Sequence, residues 1–255
     1  MRVFLVVDET VFFHPDFVHS FLERTKDEVV GVCLVTGIKK KNNIERYMIT
    51  HFYNLKLIEI IKLGYRQIKY LILDKIDSEK DYTVKSVLER AHVLYKEVKY
   101  NINTEENLEY IRNCEPDVII SSQSLYFGKK LLRIPKLCCI NRHSGLLPRN
   151  GGLWPGFQAV RKGERETGVS VHLMNSDIDS GKVLTQIRMK ITEGQSLWEI
   201  YEECFRMSVD AVLQALDKVR ENDYTPVENG YEREYYSFPT QEQWKEFREH
   251  KGRYV

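Results

Sequence analysis

Four short apolar segments constrain the fold of this chain more than any other feature of its sequence. They occupy residues 2–7, 29–36, 116–121 and 136–141, and polar or turn-forming residues separate them. Short, continuous apolar runs are typical of strands that are buried on both faces of a parallel sheet. A helical pattern that begins near Pro15 joins the first two segments, which predicts a right-handed βαβ unit.

The rest of the chain continues this alternation of strands and helices. The alternating segments 168–174 and 182–189 predict a pair of strands with a tight connection. Ser196 and Glu199 fit a capping box at the start of a long helix that ends near residue 221. Further elements are predicted at 83–93 (helix), 95–98 (strand), 104–113 (helix) and near Lys129 (short helix). The fold class is therefore α/β, with a Rossmann-like, mostly parallel sheet flanked by helices.

The chain divides into one large domain, an insertion and a tail. Residues 1–222 form the predicted domain, and residues 38–80 interrupt its rhythm with a basic loop and one or two amphipathic helices. In one interpretation the insertion packs against the sheet; in the other it offers a basic wall to an anionic ligand or lies at an interface. The aromatic and charged tail, 223–255, is expected to pack on the domain or at a subunit interface. Asn229-Gly230 is a turn signal that fits a hairpin, and a final helix is expected after Ser237.

The balance of charge argues against two classes of partner. Lysine and arginine number 38 against 37 acidic residues, a net charge of +1, so no global field attracts nucleic acid or an anionic membrane. No stretch approaches the roughly 20 apolar residues of a membrane span, and the first apolar run is too short for a signal peptide. The five cysteines are odd in number and lack C-x-x-C spacing, which favours reduced thiols in a cytoplasmic protein.

Polar side chains suited to acid–base chemistry follow the predicted strands. Asn141 and His143 come at the end of the fourth apolar segment, and Asp177 and Asp179 follow residues 168–174. Ligands of open parallel sheets bind outside the carboxyl ends of the strands, so we expect these side chains to converge in a cleft. An amide that stabilises an oxyanion, an imidazole that moves a proton and a neighbouring carboxylate suit acyl transfer.

Each of these residues also has a purely structural interpretation. An asparagine before a turn is often a cap, the two aspartates fit a turn, and His172 is interpreted as a packed or hydrogen-bonded core histidine. The sequence has no close pair of histidine ligands, so a metal site is not expected. Phosphate-binding glycine loops and a serine nucleophile elbow are absent from the sequence as well.

The order and spacing of these motifs resemble one protein family over about 70 residues, from Pro116 to Gln186. The chain reads Asn141-Arg-His143-Ser-Gly-Leu-Leu-Pro148, then Gly151-Gly152, Ala159, Gly163, Thr167-Gly168-Val-Ser170-Val-His172, Asp179-Ser-Gly181 and Gln186. This series resembles the folate-dependent formyltransferases, which include the glycinamide ribonucleotide, methionyl-tRNA and sugar-nucleotide enzymes. The first 115 residues resemble the family only in their strand–helix rhythm.

The resemblance implies a formyltransferase fold, a reaction and a set of site residues. Asn141, His143 and Asp179 are then the catalytic residues, the first two stabilising an oxyanion while Asp179 orients and charges His143. The cosubstrate is expected to be 10-formyltetrahydrofolate, attacked by a neutral amine without a metal. The residues implied in its binding are Ser122, Gln123, Ser124, Leu125, Tyr126, Phe127, Asn175 and Asp177.

Two parts of the motif depart from the family pattern and are predicted to serve this chain's own acceptor. Where many members read His-Pro-Ser-Leu-Leu-Pro, this chain has Ser144-Gly145 after the histidine. The following loop, RNGGLWPGFQ, also differs from the purine- and tRNA-directed versions. We therefore expect Arg149, Asn150 and Trp154 at the acceptor, where Trp154 either stacks on it or anchors the loop.

The acceptor expected by elimination is a small amine, an amino sugar carried on a nucleotide. About 34 residues follow Glu221, too few for the C-terminal barrel of the methionyl-tRNA enzymes, and the near-neutral charge argues against tRNA. The glycinamide ribonucleotide enzymes are shorter and lack an obvious counterpart of 38–80. The alternatives are a methionyl-tRNA or glycinamide-ribonucleotide-type transferase, a 10-formyltetrahydrofolate hydrolase and a non-catalytic folate-binding relative. The sequence does not decide between a monomer and a homodimer.

Overall fold

A seven-stranded sheet forms the centre of the computed structural model, which describes residues 1–37 and 54–255. The strands of the described residues are β1 Arg2–Asp8, β2 Glu28–Gly37, β3 Tyr95–Lys99, β4 Val118–Ser122, β5 Cys138–His143, β6 Gly151–Gly152, β7 Glu166–Leu173, β8 Val183–Lys190 and β9 Tyr235–Tyr236. Their order in the sheet is β3-β2-β1-β4-β5-β7-β8. Strands β1 to β5 are parallel to one another. Strand β7 runs antiparallel to β5, and β8 runs antiparallel to β7. Strands β6 and β9 pair in a separate ribbon.

Helices cover both faces of the sheet. Within the described residues they are α1 Phe13–Arg24, α2 Leu57–Ile76, α3 Val84–Arg90, α4 Glu105–Asn113, α5 Pro155–Arg161, α6 Leu197–Arg220 and α7 Gln241–Glu249. Helix α6 begins at the predicted capping box, because Ser196 Oγ accepts from the Glu199 N–H at 3.3 Å. The Glu199 carboxylate accepts in return from the Ser196 N–H at 2.7 Å. This reciprocal cap satisfies backbone donors that a helix start otherwise leaves open.

Two hydrophobic cores lie on opposite faces of the sheet, because side chains alternate along each strand. Val3, Leu5 and Val7 of β1 enter the larger core, to which α1, α3, α5, α6 and α7 contribute. Phe4 and Val6 enter the smaller core, to which α4 contributes. All five side chains are fully buried. The apolar segments are therefore continuous rather than alternating, since both faces of the parallel strands are covered.

The predicted fold class is confirmed, and most predicted elements are present. The pair of strands expected at 168–174 and 182–189 is β7 and β8. The short helix expected near Lys129 reduces to a 3₁₀ turn at Leu131–Arg133. The hairpin expected at Asn229-Gly230 is wrong: in the described tail the Asn229 amide donates instead to the carbonyl of Leu147 at 2.7 Å.

The tail of residues 223–255 contributes to the larger core. Trp244 and Phe247 of α7 are buried, and Phe247 stacks on Phe157 of α5 with ring centroids 4.7 Å apart. Beyond α7, the carbonyl of Arg253 accepts from the Leu197 N–H at 2.8 Å. Burying a large aromatic side chain contributes roughly 1.5–3 kcal/mol, so these contacts hold the tail on the domain.

Helix α2 presents an apolar stripe to the surface. Ile61, Tyr65, Ile68 and Ile72 are each more than half exposed. The other side of the helix faces the domain, where the guanidinium carbon of Arg66 lies 4.1 Å from the ring centre of Trp198. Of the insertion predicted at 38–80, residues 38–53 lie outside the described residues. None of the helices in the described part of the chain has the length and apolarity that a bilayer crossing requires.

Candidate active site

The carboxyl ends of β4 and β5 and the connection after β7 border one cavity of about 660 Å³. The three side chains predicted to be catalytic, Asn141, His143 and Asp179, all line it. Strands β4 and β5 are adjacent and parallel, and β7 pairs with β5 so that Asn141 lies opposite His172. The strand order therefore brings these groups together, as expected for an open, mostly parallel sheet.

His143 lies between two hydrogen-bond acceptors. Its Nε2 is 2.9 Å from the carbonyl oxygen of Asn150, and its Nδ1 is 3.6 Å from Asp179 Oδ2. A neutral imidazole has one N–H and can donate to only one of them, whereas the imidazolium donates to both. Burial lowers the pKa of His143, and the Asp179 carboxylate opposes that effect. Because burial outweighs the carboxylate, the pKa of His143 stays below its ordinary value, and the resting ring is neutral at neutral pH.

His172, on β7, extends the site beyond the three predicted residues. Its Nδ1 is 2.9 Å from the carbonyl oxygen of Leu173, and its Nε2 is 3.2 Å from Asn141 Nδ2 and 3.4 Å from Asp179 Oδ1. Nδ1 faces a carbonyl oxygen and therefore donates to it, whereas Nε2 faces both the Asn141 amide and the Asp179 carboxylate. The ring is buried and hydrogen-bonded, as the core-histidine interpretation expects, but its partners are site residues.

Asp179 is held by the backbone as well as by the two imidazoles. Its own backbone is left-handed, with φ 51°, and its Oδ2 accepts from the Gly152 N–H at 2.8 Å. Burial alone would raise the pKa of Asp179, but His143, His172 and the Gly152 N–H together lower it below its ordinary value. Asp179 is therefore an ionised carboxylate at neutral pH.

Gly152 is required by the close approach of β6 and β9. It has φ 88°, and a Cβ at this position would lie 2.1 Å from the carbonyl oxygen of Tyr236. A residue with a side chain would separate the two strands and move the N–H that Asp179 accepts from. Gly152 thus positions the Asp179 carboxylate through its own N–H.

Two loops beside the cavity carry the residues predicted to bind the folate. All of them line the cavity: Ser122, Gln123, Ser124, Leu125, Tyr126, Phe127, Asn175 and Asp177. The Gln123 amide closes the first loop by donating to the carbonyl of Leu125 at 2.8 Å. The Tyr126 hydroxyl donates to the carbonyl of Ser176 at 3.4 Å and so joins the two loops.

The composition of these loops suits a flat heteroaromatic ring with polar edges. Leu125, Phe127 and Met174 supply apolar surface, while Asn175 and Asp177 supply donors and acceptors beside it. Cofactor pockets generally combine an apolar lining with a few placed polar groups. The pterin of a folate is a ring of this kind, so the residues present fit the cosubstrate that the family motif implies.

The residues expected at the acceptor occupy different positions. Of the three, Trp154 lines the cavity. Arg149 is absent from the cavity lining, and its guanidinium nitrogens lie 3.5 Å from Glu164 and 3.8 Å from Glu166. Asn150 is also absent from the lining; it is buried, its amide donates to Glu164 at 2.9 Å, and its carbonyl faces the imidazole of the site.

The cavity has further lining that the sequence motifs do not indicate. Tyr235 and Tyr254 reach it from the tail. Asp8, His14 and Arg142 line it as well. A local signal existed for Arg142, because it lies within the Asn-x-His motif, but the motif treats the middle position as variable. No local signal marks the tyrosines, since the tail contacts segments far from it in sequence.

Neither the cysteine thiols nor the potential metal ligands of the described residues form a recognisable reactive or metal-binding centre. All five cysteines are free thiols, and burial raises the pKa of Cys33 and of Cys204 to about 12. Thiols that stay protonated at neutral pH are weak nucleophiles. Among residues 1–37 and 54–255, no group of three or more His, Cys, Asp or Glu side chains is placed to hold a metal ion.

Comparison with known proteins identifies relatives of the sequence. A family model described as formyl transferase matches residues 73–216, which is more than half of the chain. The methionyl-tRNA formyltransferase of Thermotoga maritima is 29% identical over 155 residues, covering 60% of this chain and 49% of that protein. The chain thus spans about half the length of the curated relatives it matches first.

Solved structures share the fold at low sequence identity. Glycinamide ribonucleotide transformylase 1 from Symbiobacterium toebii has a TM-score of 0.61 at 14% identity, covering 87% of this chain and 88% of that one. The N-formyltransferase from Helicobacter canadensis, in complex with folinic acid and dTDP-3-aminofucose, has a TM-score of 0.56 at 15% identity, covering 92% and 71%. At this identity the likeness establishes the fold, and the substrate has to be inferred from the site.

Proposed function

The chain belongs to the formyl transferase family, and from that premise we propose that it transfers the formyl group of 10-formyltetrahydrofolate to a primary amine of a small acceptor. The observation that carries this proposal is the convergence of Asn141, His143 and Asp179 at one cavity, which the folate-binding loops of the motif also line. A donor amide, an imidazole between two acceptors and an ionised carboxylate are groups that acyl transfer to an amine uses.

In the proposed mechanism the side chains stabilise the developing negative charge and transfer the protons. The folate supplies a formyl group activated as the amide of a weakly basic nitrogen. The Asn141 amide donates to the formyl oxygen as negative charge develops on it, and His143, once protonated, places a positive charge beside that oxygen. The Asp179 carboxylate, 3.6 Å from His143 Nδ1, stabilises the imidazolium and accepts the proton that the attacking amine releases, directly or through water. The site then returns a proton to the leaving folate nitrogen.

For the acceptor we favour an amino sugar carried on a nucleotide. The cavity volume of about 660 Å³ lies in the range of small-molecule sites, roughly 300–1,000 Å³. The Helicobacter canadensis enzyme, which shares the fold, is described in complex with dTDP-3-aminofucose. The first curated relatives are methionyl-tRNA formyltransferases, so methionyl-tRNA is the second candidate.

A panel of acceptors tests the proposal. The purified protein is incubated with 10-formyltetrahydrofolate and, separately, with dTDP-3-aminofucose, glycinamide ribonucleotide, methionyl-tRNA or no amine. Mass spectrometry reports the formyl gain of the amine, and absorbance reports release of tetrahydrofolate. We expect both signals with the amino-sugar nucleotide and neither without an amine.

The other outcomes separate the alternatives. Formylation of methionyl-tRNA or glycinamide ribonucleotide alone would retain the transfer and replace the acceptor. Release of formate without any amine would identify a hydrolase that uses water as the nucleophile. Folate binding without turnover in all four mixtures would identify a binding protein and overturn the proposal. The Asp179→Asn variant, which keeps the shape of the side chain, serves as the inactive control.

A further inference from the structure

Arg142 occupies the face of β5 opposite Asn141 and His143. Its side chain points toward α1 and α6 and is nine-tenths buried, with 9% of its surface exposed. It donates from Nε to Ser122 Oγ at 3.1 Å, and from Nη1 to Ser144 Oγ at 2.6 Å and Ser208 Oγ at 3.4 Å. Its guanidinium carbon lies 3.8 Å from the ring centre of Phe205.

The charge of this guanidinium has no ionic partner within residues 1–37 and 54–255. Its contacts within the described residues are hydroxyls and aromatic faces, none of which carries a negative charge. Asp8 acts on it as a longer-range charge and forms no ion pair with it. An arginine stays protonated in this setting, so the charge persists at neutral pH. Burying an unpaired ion is costly, and a cation–π contact offsets only part of that cost.

Two other partly buried arginines of the chain show the contrast. Arg149 lies 4.2 Å from the ring centre of Tyr231 and also faces Glu164 and Glu166. Arg161 lies near the ring of Tyr236 and pairs with Glu246. Each therefore combines an aromatic face with a carboxylate. Arg142 has the aromatic face but not the carboxylate, and it differs from both in lining the cavity of the site.

We propose that Arg142 binds an anionic group, a carboxylate or a phosphate, on the acceptor. This inference rests on the proposed function and narrows it to acceptors that carry negative charge close to the amine. The nitrogen Nη2 makes no hydrogen bond within the described residues, and the guanidinium fork matches the oxygens of either group. Because Arg142 lines the same cavity as Asn141 and His143, an anion held there would place a neighbouring amine beside them.

The position relative to the folate loops supports the acceptor rather than the folate as the source of the anion. Residues 123–127 and 175–179 border the cavity beside one face of β5, with Phe127 in the smaller core, whereas Ser122 accepts a hydrogen bond from Arg142. Arg142 lies on the other face, among side chains of α1 and α6. The glutamyl carboxylates of a folate are the competing source, and separate kinetic constants for the two substrates distinguish them.

Matched acceptors and variants test the inference. dTDP-3-aminofucose is compared with free 3-aminofucose, and glycinamide ribonucleotide with its dephosphorylated form, using wild type, Arg142→Lys and Arg142→Met. We expect Arg142→Met to raise KM for the anionic member of the accepted pair by roughly 10- to 100-fold, with KM for the folate unchanged. Turnover of the neutral member should fall less than that of the anionic member, since it carries no anion for Arg142 to bind. Arg142→Lys should recover only part of the loss, because it lacks the fork.

A control variant and a binding measurement keep the test decisive. Arg161→Met removes a stacked arginine outside the cavity and should leave every KM unchanged. If no amine is formylated at all, the proposed function fails, and thermal melting with inorganic pyrophosphate then tests the subsite alone. Pyrophosphate should stabilise wild type and Arg161→Met. It should stabilise Arg142→Lys less and Arg142→Met not at all. Equal losses for charged and neutral acceptors, a raised KM for the folate alone, or equal stabilisation of all variants would overturn the inference.

Discussion

The two faces of strand β5 differ in how their polar side chains are satisfied. On one face, Asn141 and His143 meet His172, Asp179 and the backbone, so that the carboxylate lies within 3.6 Å of both imidazoles. On the other face, the contacts of Arg142 within the described residues are with hydroxyls and aromatic rings. The first face is complete in the protein itself and is preorganised for chemistry. On the second face, no carboxylate of the described residues pairs with the guanidinium. We infer that the acceptor supplies this negative charge.

The largest expected effect follows from breaking the first face. Asn141→Ala, His143→Ala and Asp179→Ala each remove a group that we propose stabilises charge or moves a proton in the transition state. We expect each to lower kcat by about 10²–10³-fold, with circular dichroism and Tm close to wild type. Wild-type turnover in any one of the three would remove that residue from the mechanism.

A smaller loss is expected from Gly152→Ala, which disturbs the support of the first face. Its Cβ would lie 2.1 Å from the Tyr236 carbonyl oxygen, and the backbone has φ 88°. We expect a destabilisation of about 2–4 kcal/mol and at least a tenfold fall in kcat, because the N–H that holds Asp179 moves.

Gly230→Ala is the matched control for that variant. Gly230 also has a positive φ, 69°, but nothing lies within 4 Å of a Cβ built on it. The change should cost only the left-handed strain of about 1–2 kcal/mol and leave kcat unchanged. Equal losses in both variants, measured by urea unfolding and initial rates, would show that the contact with β9 is unimportant.

His172→Asn tests whether the fourth polar group of the first face positions the others. The variant removes the contacts of the ring with Asn141 and Asp179, at 3.2 and 3.4 Å, without touching His143. Since the three groups proposed to be catalytic remain, we expect kcat to fall by about tenfold, less than when one of those groups is removed, with both KM values within about twofold. The pH profile of kcat should also shift, because Asp179 loses a stabilising partner. A pure loss of stability with an unchanged profile would make His172 a core residue only.

The smallest effect concerns Asp8, which lines the cavity near the second face. Burial raises the pKa of Asp8 from 3.8 to about 6, so the folded state holds this proton more tightly than the unfolded chain. Stability should therefore fall as pH rises through that window. Asp8→Asn removes the penalty and should stabilise the protein by about 1–2 kcal/mol at pH near 8, with no gain below about pH 4. Chemical unfolding at both pH values measures this change in stability. An equal change at both would contradict the raised pKa of Asp8.

The first face could largely be predicted from the sequence, and the reason is topological. Continuous apolar segments fix parallel strands, and the carboxyl ends of adjacent strands meet at one edge. The motif then indicates Asn141, His143 and Asp179 without knowledge of the packing. All the loop residues expected at the folate line the same cavity, because the loops follow those strands directly.

The second face could not be predicted, because it depends on contacts between distant segments. The sequence predicts Arg149 at the acceptor, yet Glu164 and Glu166 pair with it once the chain folds. Asn150 donates to the same residue 164 and lends its carbonyl to the site. Likewise, the periodicity of α2 predicts a helix but not that its apolar stripe faces outward. Sequence patterns indicate which side chains share a face, whereas packing decides what each face meets.

The most direct test of the account is one measurement on wild type and Asp179→Asn. Each protein, in excess over 10-formyltetrahydrofolate, is mixed with the pooled small amines, and formylated products and tetrahydrofolate are followed by mass spectrometry through a single turnover. The account predicts that wild type formylates one small amine in step with folate release, and that the variant does neither at a comparable rate. Equal rates in the two proteins, or folate turnover that yields formate and no formylated amine, would contradict it.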